Sequence, residues 1–404
     1  MLPHLRHALP VCVLVLVTGC GGGTTSDTTT NTTTDTPYTG NCGLGTAAYA
    51  LESGSSTATS PSFTVSVEQD RSAFCAQNSG TAITLITPTI ISSATTSSDS
   101  DSNLYGLSAS VLAYGSSATT TSGGSITISG GTISTTTGYA NAVFATGLGA
   151  NVTLSKVDIS TSGDYAHAVV ATKAGAATVT GTTSTHASLT SVAAEVVVLE
   201  GASAITINNG DLLSTNANDN RGILIYDSAT SSGAAELNIT GGSYIWSSSS
   251  TSGSAFYVLN QTTSITLKGV DISSPSTSAL LRVVAGTSGS KVTLNAIGQT
   301  LSGSVMVDAG SSAILSLAGT SSLIGAINSA DTAGSVMVTL DATSTWTLTA
   351  NSYVTVLNDT AGISGTAVSN IVGNGHNAYY KSSSNSSLGG ATYALSGGGS
   401  LIPY

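Results

Sequence analysis

The sequence predicts an all-β chain wound as a parallel β-helix, a solenoid of coils about 26–28 residues long. Three observations carry that expectation. A strand–turn–strand phrase, "GGSITISGGTIS" at residues 123–134, returns as "ANVTLSKVDIS" and "TTSITLKGVDIS". Its first strands align on Ile126, Val152, Val179, Ile205, Leu237, Ile265 and Val292, at steps of 26, 27, 26, 32, 28 and 27 residues. A second strand, in "ANAVFATG", "AHAVVATK" and "AEVVVLEG", drifts along the chain at the same period. Composition agrees. Charged residues make up 7% of the 404 residues, against roughly 25% in ordinary domains, so small, β-branched and hydroxylated residues are left to pack in stacked strands.

In chain order, the first segment is "MLPHLRHALPVCVLVLVTGC". A weakly basic start before an apolar run is the layout of a secretory signal over residues 1–19, too short to span a bilayer. Its end, Val17-Thr18-Gly19-Cys20, resembles the lipobox of bacterial lipoproteins. The resemblance implies lipidation of Cys20. Because Gly21 and not Asp follows, it also implies the outer membrane of a Gram-negative host. The plainer alternative is an ordinary signal with an incidental cysteine. Residues 20–40 lack apolar periodicity and read as a flexible Thr-rich tether.

Cys42 and Cys75 remain after the signal. In an exported protein a bridge between them would close a loop of about 34 residues, worth about 3–4 kcal/mol; the alternative is two free thiols. Residues 41–80 are expected to cap one end of the rod, 81–372 to form the β-helix and 373–404 to cap the other end, where an open sheet edge would be exposed. Within a coil, Ile126 and Ile128 point one way and Thr127 the other. Gly130-Gly131 and Gly241-Gly242 suit the corners. After about Gly298 the coils shorten, and no long amphipathic helix is expected.

Over roughly residues 80–404 the rungs resemble the right-handed parallel β-helix of bacterial surface adhesins, autotransporter passengers and carbohydrate-binding β-helix proteins. "GQTLSGS", "VTLDATSTWTLT" and "GNGHNAYY" are similar to C-terminal portions of adhesin-like members. The resemblance implies right-handed winding and a surface role. Autotransporters end in a membrane β-barrel, and no barrel-like strands follow Gly373; here a lipid on Cys20 would serve as anchor.

Chemistry is thinly signposted. With 20 Asp and Glu against 9 Lys and Arg, the chain lacks the clustered cations that nucleic acid requires. A 27-residue count puts Lys173, Glu200 and Asp227 in one column, with Asn260 next and Glu195, Asp211, Asp219 and Arg221 nearby. Polysaccharide lyases on β-helices resemble this in outline, with carboxylates holding Ca²⁺ and a Lys or Arg abstracting a proton. A solvated charge ladder, worth less than about 1 kcal/mol per pair, is the reading the sequence favours. His167 aligns with Asn141 as a polar column, His186 falls in a loop and His376 in the cap. No metal-ligand spacing and no G-x-S-x-G elbow occurs, so no catalytic residue, metal or cofactor is assigned.

Tyr244, Trp246, Phe256 and Tyr257 fall on one coil. With Trp246 facing outward, Tyr244, Trp246 and Tyr257 are candidate ligand-binding residues; core filling is the alternative. Thr127, Thr153, Thr206, Thr266 and Thr293 suggest a hydroxyl column interrupted by Glu236, Lys268 and Lys291. The expected function is that of a cell-surface lipoprotein in adhesion or matrix interaction, through multivalent binding of polysaccharide or host glycan. A polysaccharide lyase or hydrolase, or a structural spacer without a ligand, are the alternatives.

Overall fold

A computed structural model describes residues 38–216, 220–228, 233–247, 253–275 and 278–404. The expected signal, Cys20, most of the tether and Asp219 lie outside the described residues. The chain forms a parallel β-solenoid of about 13 turns of roughly 26 residues. Its strands assemble into sheets of 11, 18 and 9 strands. Among the described residues, no helix is long and apolar enough to cross a membrane.

Period-two alternation builds the core of the 18-stranded sheet. In the strand Ser125–Ser129, Ile126 and Ile128 are buried while Thr127 is exposed. Stacking continues inward through Ile83, Ile126, Val152, Ala177, Ile205, Leu237, Ile265, Leu294, Leu315 and Val338. This register corrects the sequence alignment at two places: Ala177 and Leu294, not Val179 and Val292, share the column of Ile126. A slip of two residues leaves every side chain on its own face, so hydrophobic alternation alone cannot expose it.

Corners fall where the backbone turns left-handed. Gly130 and Gly131 have φ of 65° and 88°. A Cβ on Gly131 would meet the Pro88 carbonyl oxygen at 2.2 Å, so only glycine lets the two coils approach there. The coils shorten toward the end, as Leu294, Leu315, Val338 and Leu357 succeed one another in the inward column.

The 11-stranded sheet is buried on both faces over part of its length, which explains unbroken runs such as Val143–Thr146 and Val169–Thr172. Val111, Val143, Val169 and Val197 face the solenoid core. Leu112, Phe144, Val170 and Val198 face outward into a second apolar cluster with Cys42, Ala47, Ala50 and Cys75. Cys42 and Cys75 form a disulfide there, joining the antiparallel hairpin of Tyr38–Cys42 and Gly45–Leu51 to the next coil.

A short helix, Asp99–Tyr105, lies in the same region and was not anticipated from sequence. Ser98 caps it by accepting from the Asp101 N–H at 3.2 Å, and Gly106 ends it in a left-handed conformation. Its Leu104 carbonyl accepts from the hydroxyls of Thr146 and Thr172 at 3.1 and 2.7 Å, tying the helix to two coils.

Parallel pairing already begins inside residues 41–80. Thr46–Leu51 pairs with Arg71–Ala76, and Ser55–Thr59 with Ala82–Ile86. Within that segment the first hairpin is antiparallel, and Gln77 adds an isolated antiparallel bridge to Gly123. At the far end Ser400–Pro403 extends the parallel ladder over Ala378–Tyr380 and also turns back antiparallel on Tyr393 and Ala394.

Candidate functional site

Lys173, Glu195, Glu200, Arg221 and Asp227 lie in or beside strands of the 11-stranded sheet, whereas Asp211 lies in the 18-stranded sheet. Strand Val197–Glu200 pairs with Arg221–Tyr226 so that Glu200 stands opposite Tyr226. Glu200 therefore belongs to a column one residue before that of Lys173 and Asp227. The Lys173 position is a corner with φ of 53°, and the following coils turn left-handed likewise at Gly201 and Asn260. The 27-residue count fails by one because the coil lengths differ.

Glu200 and Lys173 nevertheless touch. The buried Glu200 carboxylate accepts the Lys173 backbone N–H at 3.2 Å through Oε2 and the Ser228 hydroxyl at 2.6 Å through Oε1. It thus satisfies a main-chain donor at a corner where the ladder breaks. The Lys173 ammonium does not reach across to that carboxylate; it lies 3.4 Å from the Tyr105 hydroxyl and 4.7 Å from that ring's centroid. Asp227 is tied through its main chain, its carbonyl accepting from Asn260 Nδ2 at 3.2 Å. Tyr105 and Ser228 escaped sequence reasoning. Tyr105 is 68 residues from Lys173 and arrives on an unforeseen helix, so no period could have flagged it.

At the opposite end of the same strands runs a more deeply buried polar column: Asn141, His167, Glu195 and Arg221. The His167 N–H donates to Asn141 Oδ1 at 2.9 Å. His167 Nδ1 lies 3.0 Å from the Glu195 carbonyl oxygen, which can only accept, so Nδ1 carries the proton. It is also 3.5 Å from Glu195 Oε2. Arg221 Nε donates to Glu195 Oε1 at 2.7 Å. Burial first, then the negative charges of Glu200 and Glu195, push the Tyr226 phenol well above its ordinary range, with Arg221 opposing. Burial and Glu195 do the same to Tyr244. His186 pairs separately with Asp211, Nδ1 to Oδ2 at 2.8 Å, and Ser243 donates to the other Asp211 oxygen at 2.7 Å.

Of the aromatic candidates, Tyr244 and Trp246 are buried, which corrects the outward placement of Trp246. Tyr244 stacks in the inward column of Ile159, Leu189 and Leu212 and is fully buried, its hydroxyl donating to the Ala255 carbonyl at 2.6 Å. Trp246 is 1% exposed and occupies a position that Ser191 and Ser214 hold on earlier coils. Room for the two rings comes from glycine. A Cβ on Gly222 would meet Tyr244 Oη at 2.0 Å, and one on Gly253 would meet Trp246 Cη2 at 2.6 Å. Tyr257 does face outward, half-buried, with the Arg221 guanidinium 5.2 Å over its ring.

The hydroxyl column is longer and cleaner than the sequence suggested. Thr57, Thr84, Thr127, Thr153, Thr178, Thr206, Asn238, Thr266, Asn295, Ser316, Thr339 and Asn358 are paired position by position on the outer face of the 18-stranded sheet. Thr293 belongs to a flanking column, between Ser264 and Ile314. Glu236, Lys268 and Lys291 also flank the ladder and do not interrupt it. Successive side chains are spaced by the strand separation, about 4.8 Å.

A recess beside the disulfide, lined by Cys42, Asp70, Tyr105 and Leu112, leaves no enclosed room for a ligand. Among the described residues no three His, Cys, Asp or Glu side chains are grouped to hold a metal ion. In comparisons with known proteins, the chain matched no family model, no curated protein and no solved structure.

Proposed function

We propose that the chain is an exported, lipid-anchored rod of the bacterial cell surface that binds glycans in adhesion or matrix interaction. The observation that supports this best is the Thr/Asn/Ser ladder on the 18-stranded sheet. Strand pairing fixes the backbone so that donors and acceptors recur at one repeating distance, and the β-branched threonines have few χ1 rotamers to lose on binding. A long polymer lying on such a face makes many weak contacts at once, and avidity replaces a deep pocket. The lipobox-like end of the leader supports attachment through Cys20, with the membrane as partner. The lyase alternative would draw on Glu200, whose two carboxylate oxygens are already engaged by Lys173 and Ser228.

The test is incubation of the full chain with neutral and acidic polysaccharides, with and without Ca²⁺, scoring retained and cleaved sugar from the same wells. Retention without cleavage is expected. Chain scission lost in Glu200→Gln would replace this reading with an enzymatic one.

A further inference from the structure

The ladder accounts for one face of the rod, and the last coils carry a different surface. Tyr353 and Tyr379 occupy successive rungs in register, their rings stacked at 4.7 Å with 10° between planes. Tyr404 stands nearly perpendicular to Tyr353, at 86° and a centroid distance of 6.0 Å. The Tyr404 side chain is exposed, at 50%. Its backbone is held firmly, the N–H donating to the Tyr380 carbonyl at 3.0 Å and the carbonyl accepting from Ser382 at 3.1 Å. A ring fixed at its root and left half in water is poorly explained as core filling.

The rim of this cluster is polar. Asn377 Nδ2 lies 3.4 Å from the Tyr379 hydroxyl, and Asn328 Nδ2 lies 3.4 Å from the Tyr353 carbonyl. Asn328 also folds the adjoining loop, its Oδ1 accepting from the N–H groups of Thr332 and Ala333 at 3.1 and 3.2 Å. That turn presents exposed Asp331, whose charge, after burial and together with Tyr353, raises the Tyr404 phenol above its ordinary value.

We infer that Tyr353, Tyr379 and Tyr404, edged by Asp331 and Asn377, form a carbohydrate subsite for uncharged pyranosides. An aromatic cluster edged by hydrogen-bonding groups matches a ligand with an apolar C–H face and hydroxyls around its perimeter. A hydrocarbon or lipid chain laid on the rings would cover the exposed Asp331 carboxylate without pairing it. Uncharged sugars are specified because Asp331 borders the rings and the whole chain carries a net charge of −11, which disfavours uronates. This inference rests on the glycan-binding reading and gives it a second, localised contact apart from the ladder.

The experiment is affinity electrophoresis of the full chain through gels containing hydroxyethylcellulose, soluble glycol chitin or polygalacturonate. Retardation by a neutral polymer is expected, with Tyr404→Ala about tenfold weaker, Tyr404→Phe retaining most of the binding and Asp331→Asn weakened to a lesser degree. Thermal melts of each variant establish that the fold is kept; Tyr404→Phe and Asp331→Asn serve if Tyr404→Ala does not fold. Wild-type retardation unchanged in the Tyr404 and Asp331 variants would overturn the subsite while leaving glycan binding in place. Binding to polygalacturonate alone would overturn the uncharged class. No retardation by any polymer would remove both this inference and the reading on which it rests.

Discussion

At the scale of single residues, the decisive question is how each buried polar group is satisfied. Asp359 and Asn370 give a clear case. Both are buried, Asn370 Nδ2 donates to Asp359 Oδ1 at 2.8 Å, and the Gly362 N–H reaches the same oxygen at 3.2 Å. Asp359 Oδ2 and Asn370 Oδ1 are both left without a partner. A proton on Oδ2 would supply Asn370 Oδ1 with its donor and close a two-point acid–amide pair. Burial raises the Asp359 carboxyl above its ordinary value, with the Asn370 and Gly362 hydrogen bonds opposing. For a carboxyl raised on folding, the folded state binds the proton more tightly, so this group favours folding most below its unfolded pKa. That contribution is lost as pH rises through the folded value. Asp359→Asn, which carries a donor at the same place permanently, is expected to melt at or above wild type at pH 7. Its advantage should shrink as pH falls toward 4. A variant less stable than wild type at every pH would mean that the carboxylate is needed ionised. Residue identity hid such details in the sequence: it left open whether Trp246 and Tyr244 bind ligand or fill the core, because nothing local reveals that Gly222 and Gly253 clear space for them inside.

At the scale of strands and coils, what the sequence carried well was the alternation, and what it carried poorly was the register. Ile126, Val152, Ile205, Leu237 and Ile265 do share one inward column, whereas Val179, Val292 and Glu200 were displaced by one or two positions. Coil length is set by loops at the corners. The separation across one rung is 26 residues between Glu195 and Arg221 but 33 between Asp227 and Asn260. A constant period therefore drifts, and it placed Thr293 in the ladder where the register puts Asn295. The pairing makes a direct prediction. Asn151 and Ala176 are in register on adjacent coils, so removal of residues 151–175 deletes one complete turn and brings Ser125–Ser129 against Ala176–Thr180. Ile126 would then meet Ala177, and Val143 would meet Val197, keeping both cores apolar. This variant is expected to stay soluble with the β-rich circular dichroism of the parent, because each turn contacts only its neighbours. Removal of residues 151–163, about half a turn, should misalign the coils and abolish cooperative melting. Equal behaviour of the two deletions would contradict a register fixed by coil stacking.

At the scale of the whole rod, stability is a sum over neighbouring turns, and the two ends are solved differently. The far end closes with a strand that continues the ladder and folds back on itself. The near end depends on a hairpin whose own strands bury little without the coil beneath, and there the disulfide joins Cys42 to Cys75 across a sequence separation of 33. By the loop-entropy argument the bridge contributes about 3–4 kcal/mol. In a linear array that contribution is local, since turns far along the rod never contact the hairpin. Cys42→Ala combined with Cys75→Ala should therefore lose hydrogen-exchange protection across residues 38–77 and in the outer cluster around Leu112 and Phe144, which the hairpin covers. Protection around Val292, Leu294 and Leu315 should stay at the wild-type level. A uniform loss along the chain would show instead that the solenoid unfolds as one unit, with the end cap governing its whole stability.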